Sequence, residues 1–214
     1  MKRTIVRHGS IAALALTLSV GLAACGGDDG GDTSASDDTS SAAATPTEEE
    51  SAPMDDASAD TFGAGCSAIP TEGKGSFNGM VTDPVATAAS NNPLLKTLVA
   101  AVTEADLVDT LNSAPALTVF APIDDAFAKI PKKDLDAVLA DKKLLTKILT
   151  HHVVEGQLGP DEVVGTHDTL AGDKITIKGE VPELTVNEAT IICGNIPTAN
   201  ATVYAIDTVM MPKM

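Results

Sequence analysis

Aromatic residues are scarce in this 214-residue chain, which has no tryptophan, one tyrosine and four phenylalanines. Basic residues are also few, because 14 lysines and arginines stand against 30 acidic residues and leave a formal net charge of −16. Nucleic-acid binding needs clustered lysine and arginine, and proteins that bind single strands add aromatic platforms on which bases stack. The composition therefore excludes nucleic acid as an expected partner.

Cysteines and long apolar runs are scarce as well. Three cysteines are too few for a fold held mainly by disulfides. The mostly apolar segment near the N-terminus, from Ile11 to Leu22, is shorter than the ~20 residues of a membrane-spanning helix. We therefore expect neither a disulfide-rich scaffold nor a permanent transmembrane helix in that segment.

The N-terminal segment is organised like an export signal. Three basic residues lie in the first seven positions, the apolar stretch follows, and two alanines precede Cys25. This end resembles the lipobox of bacterial lipoproteins, whose cysteine receives a diacylglyceryl group and becomes the first residue after cleavage. The alternative is an ordinary secretory signal with a coincidental cysteine. We expect a lipoprotein signal peptide over residues 1–24, lipidation of Cys25, and a lipid-anchored location on the outer side of the cytoplasmic membrane.

The composition changes abruptly after Cys25. Residues 26–61 contain eleven acidic residues and no lysine or arginine. Such a segment has too few apolar side chains to form a core, and its like charges repel one another. We expect residues 25–65 to form a disordered acidic tether. Serines and threonines near Pro46 and Pro53 are candidates for O-linked sugars, and an unmodified spacer is the alternative.

Two cysteines remain after the lipobox. Cys66 lies just before the folded region and Cys193 lies in a predicted strand near its end. Because an exported protein meets oxidising conditions and no other cysteine competes, we expect the two to form a disulfide. Two unreactive thiols or a pair of metal ligands are the alternatives.

The remainder, residues 66–214, predicts one domain with a core at about residues 77–212, since its length suits one buried core rather than two. The first half has helical signals. The pairs Asp83–Pro84 and Asn92–Pro93 each place a capping side chain before a proline, which favours a helix start at each pair. Apolar residues then recur at helical spacing, around residues 95–102 and again around 144–149.

Strand signals dominate the rest of the domain. Residues 117–121 predict a buried strand that Pro122 ends, with a helix resuming at Asp124 or Asp125. Further strands are predicted at residues 174–178, 184–186, 190–193 and 202–210, with a turn at residues 187–188. Helices followed by antiparallel strands indicate an α+β fold whose helices pack on one side of a sheet or small sandwich.

Three ordered motifs resemble those of fasciclin domains. They are TVFAPIDDAFAKIP at residues 118–131, LLTKILTHHVVEG at 144–156 and NATVYAIDTVMMP at 200–212. The resemblance implies a single wedge-shaped β-sandwich with helices packed along one edge, and a role in adhesion. Together with the lipobox and the acidic segment, it is similar to the secreted or lipid-anchored immunogenic fasciclin proteins of actinobacteria.

The resemblance also implies structural roles for a set of motif residues. These are Phe120, Pro122, Asp125, Phe127, His152 and Asp207. His152 lies where a helix passes into a strand, so we expect a buried imidazole bonded to the backbone. Asp207 follows apolar residues and needs a donor if it is buried, for which a helix or loop amide is expected. The chain departs from the family at His151, at Ala201 and at Tyr204, where tyrosine, glycine and histidine are common.

No catalytic pattern stands out in the sequence. It lacks a serine elbow, an HExxH pair and a cysteine activated by a neighbouring histidine. His151 and His152 point to different faces of any regular element and so are unsuited to share a metal. We therefore predict a protein that is not an enzyme and that has neither a cofactor nor a metal site.

Two kinds of partner remain besides the membrane that Cys25 would contact. The first is an extracellular protein or glycan bound by a surface patch. The alternative is a small apolar ligand or lipid in a cleft, for which Met80, Met210 and Met211 are candidate lining residues. An internal pocket of several hundred Å³ would favour the alternative.

Overall fold

The structure is a computed structural model that describes residues 56–212. Cys25, the signal peptide and residues 25–55 of the expected tether lie outside the described residues. The helices are a 3₁₀ helix at Ala64–Ala68 and α1 Phe77–Met80, α2 Val85–Asn91, α3 Lys96–Glu104, α4 Val108–Ser113, α5 Asp124–Ala128, α6 Lys132–Ala140 and α7 Lys142–His151. The strands are β1 Leu117–Pro122, β2 Val153–Glu155, β3 Gly165–Asp168, β4 Lys174–Glu180, β5 Glu183–Val186, β6 Ala189–Pro197 and β7 Ala201–Ile206. Within residues 56–212 no helix has the length and apolar character to cross a membrane.

The strands form one sheet in the order β2-β1-β7-β6-β5-β4-β3. Strands β1 and β7 pair in parallel, and the other neighbours are antiparallel. The two ends of the sheet approach each other, because Val154 in β2 forms an isolated bridge with Thr169 just after β3. The sheet therefore curves towards a barrel, with the helices packed against it. This confirms the predicted α+β fold, a sandwich-like sheet with helices.

The central pair of strands separates two hydrophobic cores. Alternate side chains of a strand point to opposite faces, so β1 and β7 serve both cores. The residues that face the helices are Leu117, Val119, Ala121, Ala201, Val203 and Ala205. The residues that face the interior of the curved sheet are Phe120, Tyr204 and Ile206. This double burial explains why every residue of β1 is buried.

The start of α2 differs from the prediction. The carboxylate of Asp83 accepts a hydrogen bond from the Asn91 side chain instead of capping the helix. The free amides of the first turn donate to distant asparagines, Val85 to Asn200 Oδ1 at 2.8 Å and Ala86 to Asn112 Oδ1 at 3.0 Å. The first amides of α2 are therefore capped by residues that are distant in sequence. Local sequence spacing does not reveal such caps.

Helix α3 begins later than the Asn92–Pro93 pair suggested. Asn92 Oδ1 accepts from the amide of Leu94 and forms a turn, and the helix starts at Lys96. The cap is again distant, since Asp124 Oδ1 accepts from the amide of Thr97 at 2.8 Å. The sequence therefore located α3 correctly but misassigned its cap.

The folded unit begins before the predicted boundary at residue 66. Phe62 is buried, and its backbone exchanges two hydrogen bonds with Gly194 of β6. A Cβ atom on Gly194 would lie 2.3 Å from the Phe62 ring, so glycine is required for this approach. Residues 56–65, expected as the end of the tether, instead belong to the folded unit.

Candidate functional site

The apolar motif residues are packing residues of the core. Phe120, Pro122 and Phe127 are all buried. The Phe120 ring stacks on the ring of Tyr204 with centroids 5.6 Å apart. The Tyr204 hydroxyl donates to the carbonyl of Leu158 at 2.9 Å, which satisfies its polar end.

His152 links helix α7 to the C-terminal segment. Its ring is buried, with Nδ1 2.8 Å from the carbonyl of Ile148, and Nε2 accepts the amide of Met210 at 3.0 Å. Both contacts fit a neutral ring that donates from Nδ1, because a protonated Nε2 has no lone pair for the amide. Burial lowers the pKa of His152 from 6.5 to about 4. The imidazole is thus buried and bonded to the backbone through both of its nitrogens.

This arrangement predicts a loss of stability in mild acid. The folded pKa of His152 lies below the unfolded one, so its contribution is present above pH 6.5 and is lost as pH falls towards 4. Between about pH 7.5 and about pH 4.5 we expect the free energy of unfolding to fall by about 2 to 3 kcal/mol more in the native protein than in His152→Gln. Urea titrations across this range measure the difference. Parallel pH curves for the two proteins would contradict the prediction.

Asp207 differs from its expected arrangement. It lies just after β7, which ends at Ile206, and the carboxylate accepts the amide of Thr190 in β6 at 2.8 Å and the ammonium of Lys129 at 3.0 Å. The donors are thus a strand amide and a lysine, whereas a helix or loop amide was expected. Partial burial alone would raise the pKa of Asp207, but these hydrogen bonds lower it. The amide of Asp207 in turn donates to the carbonyl of Thr190 at 3.1 Å, so side chain and main chain together fasten the end of β7 to β6.

Asp125 and Asp124 have separate roles in the structure. Asp125 is exposed in the first turn of α5, where a carboxylate interacts favourably with the helix dipole. Asp124 caps α3 as described above. Asp124 therefore links α5 to α3, whereas Asp125 acts only on its own helix.

The main polar arrangement that the sequence did not reveal surrounds His151. This ring is buried at the end of α7, and Nδ1 lies 2.6 Å from the carboxylate of Asp173. The hydroxyl of Thr169 donates to the same carboxylate oxygen. Partial burial alone would raise the pKa of Asp173, but the hydrogen bonds from Thr169 and His151 lower it. His151 and Asp173 are 22 positions apart, so no local pattern indicates the contact.

Cys66 and Cys193 form a disulfide with their Cα atoms 4.8 Å apart. The bond joins the 3₁₀ helix to β6, next to the contact between Phe62 and Gly194. The expected pairing is therefore present, and it fixes the segment through which the chain enters the domain.

The apolar cavities among the described residues are small. One of about 70 Å³ lies between the helices and β1, and another of about 40 Å³ is lined in part by Met80. Pockets that enclose drug-sized ligands have volumes of about 300 to 1,000 Å³. These cavities do not provide the internal pocket that a bound lipid would need.

One larger space is an open groove of about 820 Å³ with a mixed polar and apolar lining. Its lining includes the His151–Asp173 pair, Thr176 and Lys178 of β4, and Met211. Residues 56–212 contain no cluster of three or more histidine, cysteine, aspartate or glutamate side chains placed to hold a metal ion.

The strand order and the contacts of the motif residues define an α+β domain with a curved sheet. The sequence profile of the fasciclin domain matches residues 93–212, more than half of the chain. The chain belongs to the fasciclin family.

Curated relatives extend the similarity beyond the domain profile. The cell surface glycolipoprotein MPB83 of Mycobacterium bovis is 49% identical over 170 residues, which cover 76% of this chain and 77% of the relative. The immunogenic protein MPT70 of Mycobacterium tuberculosis is 50% identical over 165 residues, covering 73% of this chain and 84% of the relative. The protein sll1483 of Synechocystis is 40% identical over 129 residues, covering 59% and 72%.

A solved structure agrees on the fold. The FAS1 domain pair of the insect cell adhesion molecule fasciclin I aligns with a TM-score of 0.52 at 16% identity. The alignment covers 63% of this chain and 52% of that one, so the chain spans about half the length of the insect structure. Family and relatives together support an extracellular surface protein with an adhesion-type domain.

Proposed function

We propose that this protein is a lipid-anchored envelope protein that presents its fasciclin domain outside the cell for contact with a macromolecular partner, a protein or a glycan. The observation that carries the contact role is the size of the apolar cavities, about 70 Å³ or less. Since these spaces are too small to enclose a lipid, binding is assigned to the surface of the domain.

The anchor is assigned to Cys25. This cysteine follows two alanines at the end of the export signal, and the relative MPB83 is named a glycolipoprotein. Two acyl chains hold a protein on a membrane far more durably than one, at about 0.8 kcal/mol per buried methylene. The acidic segment from Cys25 to the first described residue has about 30 residues and a fully extended reach of roughly 100 Å. That reach is sufficient to hold the domain clear of the lipid headgroups.

Replacing the anchor residue is expected to abolish membrane attachment. Cys25→Ser removes the thiol that accepts the diacylglyceryl group, so the variant should leave the detergent phase in Triton X-114 partitioning while the native protein stays in it. A serine replacement at Met54 is the control, since it changes the acidic segment but leaves the lipobox and the disulfide intact and should still partition with detergent. Normal detergent partitioning of Cys25→Ser would overturn the proposed anchor.

Sugars on the acidic segment are part of the same proposal. Serines and threonines are frequent between Cys25 and Asp56, and the relative MPB83 is named a glycolipoprotein, a word that denotes attached sugar. We expect the intact mature protein to be heavier than its polypeptide plus lipid, by multiples of a hexose mass. A mass equal to polypeptide plus lipid alone would contradict the sugar assignment.

The contact role is tested by crosslinking on intact cells, followed by identification of the captured molecules. A chain that lacks residues 26–55 but retains Cys25 is the control, because it is anchored yet held close to the membrane. We expect the full chain to capture a defined protein or glycan and the shortened chain to capture less of it. Failure to capture any macromolecule, together with recovery of a lipid bound to the purified domain, would favour the small-ligand alternative instead.

A further inference from the structure

The open groove has features of a prepared binding site. Its volume of about 820 Å³ is in the range of ligand pockets. Strand β4 supplies Thr176 and Lys178 to the lining, while the intervening Ile177 is buried in the core. Burial of Ile177 fixes the backbone of β4, and the side chains on either side of it, Thr176 and Lys178, are thereby held in the groove.

The carboxylate of Asp173 is held in a fixed orientation at the groove. One oxygen accepts hydrogen bonds from both His151 and Thr169, and the side chain remains 31% exposed. Among the described residues none donates to the other oxygen, Oδ2. A carboxylate that is already oriented loses little conformational entropy when it accepts a hydrogen bond from a ligand.

His151 holds the Asp173 carboxylate from a buried position. Its Nε2 is buried and has no hydrogen-bond partner among the described residues. The ring belongs to the groove lining, and its Nδ1 lies 2.6 Å from the carboxylate of Asp173. Because Nε2 is buried, the ring contributes to binding by orienting Asp173 and not by direct contact with a ligand.

The charges of the lining select the chemistry of the ligand. Lys174 pairs with Asp168 at 2.6 Å, whereas Lys178 and Glu188, which have opposite charges, line the groove and have no ion-pair partner within residues 56–212. An anionic ligand would be repelled by Glu188 and Asp173 and by the formal net charge of −16 on the chain. A cationic ligand would be repelled by Lys178. Hydroxyl groups suit such a surface, because each one both donates and accepts.

We propose that this groove binds a neutral, hydroxyl-rich glycan. Sugar hydroxyls donate to Asp173 and Glu188 and accept from Lys178. The side chain of Met211, which is 53% exposed at the groove, packs against the apolar face of a sugar ring. The inference rests on the proposed contact function and names the partner class as a glycan.

Calorimetric titration of the mature full chain in detergent tests the proposal. The probes are linear hexasaccharides of glucose, mannose and galactose, with a hexasaccharide of galacturonic acid as the anionic comparator. We expect at least one neutral probe to bind and the anionic probe to bind more weakly. The absence of binding by every neutral probe up to about 10 mM, or a preference for the anionic probe, would overturn the proposal.

Variants locate any binding to the groove. The double variant Thr176→Val/Lys178→Ala removes a hydroxyl and an ammonium from exposed or half-buried positions and should weaken the neutral probe about tenfold or more. Lys133→Ala, which removes the same charge from the exposed face of α6, should bind as the native protein does. Thermal unfolding checks that all three chains are folded. Equal binding by the double variant and the native protein would contradict the assignment of the site.

Crosslinking with the same double variant separates this inference from the broader proposal. If the variant still captures the native partner on cells, the contact function stands and the groove assignment is wrong. If neither the native protein nor the variant captures a macromolecule, the contact function itself is wrong. Capture of a glycan by the native protein that is lost in the double variant but kept in Lys133→Ala supports both.

Discussion

Replacing Cys66 and Cys193 by alanine is expected to lower the free energy of unfolding by about 5 kcal/mol. The disulfide closes a loop of 127 residues, and the chain-entropy relation for a loop of that size gives about this value. Stabilities of single domains are commonly about 5 to 15 kcal/mol, so the variant should lie close to its unfolding threshold. Alanine is the suitable replacement because Cys193 is buried, and a serine hydroxyl there would add a desolvation cost.

Urea unfolding of the native and double-alanine chains measures this effect, with Cys25→Ser in both to keep lipid out of the comparison. Limited proteolysis provides a second readout. Without the bond, the segment that carries Phe62 depends on its packing and on its hydrogen bonds to Gly194, so cleavage near residues 56–68 should become faster. A loss of less than about 1 kcal/mol with unchanged proteolysis would show that the disulfide does not restrain the chain.

Removing the side chain of Tyr204 should be nearly as damaging. The ring is fully buried in the interior of the curved sheet, 5.6 Å from Phe120 and 6.2 Å from Phe62 between centroids. Truncation of a buried aromatic residue leaves a cavity and costs about 3 to 5 kcal/mol. We therefore expect Tyr204→Ala to lower the free energy of unfolding by about 4 kcal/mol in urea titrations.

Tyr204→Phe is the matched control for that substitution. It keeps the ring but removes the hydroxyl that bonds the carbonyl of Leu158, so the expected loss is about 1 to 2 kcal/mol. The native chain offers an independent check, because Tyr204 is its single tyrosine and burial raises the pKa of the phenol. Its ultraviolet titration should therefore begin at higher pH than that of free tyrosine. Equal losses for the alanine and phenylalanine variants would contradict the packing role of the ring.

The elements that the sequence predicted well are those with one buried face. In α7 the buried Leu145, Ile148 and Leu149 recur at helical spacing, and in β4 the buried Ile175 and Ile177 alternate with polar residues. In each element the spacing of the apolar residues indicates which face is buried, so the element can be predicted without knowledge of the fold. The turn between β5 and β6 was also predictable from local sequence, because Asn187 adopts a positive φ of 51° that asparagine tolerates.

The features that sequence reasoning missed are set by contacts between distant segments. Strand β3 has no fully buried residue, so it gave no alternating signal. Asn200 resembles part of a glycosylation sequon, but its side chain caps α2 and also donates to the carbonyl of Leu111, 89 positions away. No window of neighbouring residues contains either partner, and the caps of α2 and α3 were misassigned for this reason.

The candidate site shows the same division. The family motifs include His152 and Asp207, whose contacts hold the C-terminal segment in place. The groove is assembled from His151, the turn at Asp173, strand β4 and the residues after β7, which approach one another only when the sheet curves. The sequence analysis named His151 as a departure from the family and Met211 as a candidate lining residue, but Asp173, Thr176 and Lys178 lie outside the three motifs, so the resemblance to fasciclin domains could not identify them.

The proposed contact function requires that the protein is exported and attached through Cys25, because the domain can contact an extracellular partner only from outside the cell. Mass spectrometry of the N-terminal peptide from the native protein, isolated from cell fractions, tests this directly. We predict a membrane-associated peptide that begins at Cys25 and carries a diacylglyceryl group. A cytosolic chain that retains residues 1–24 would contradict the account.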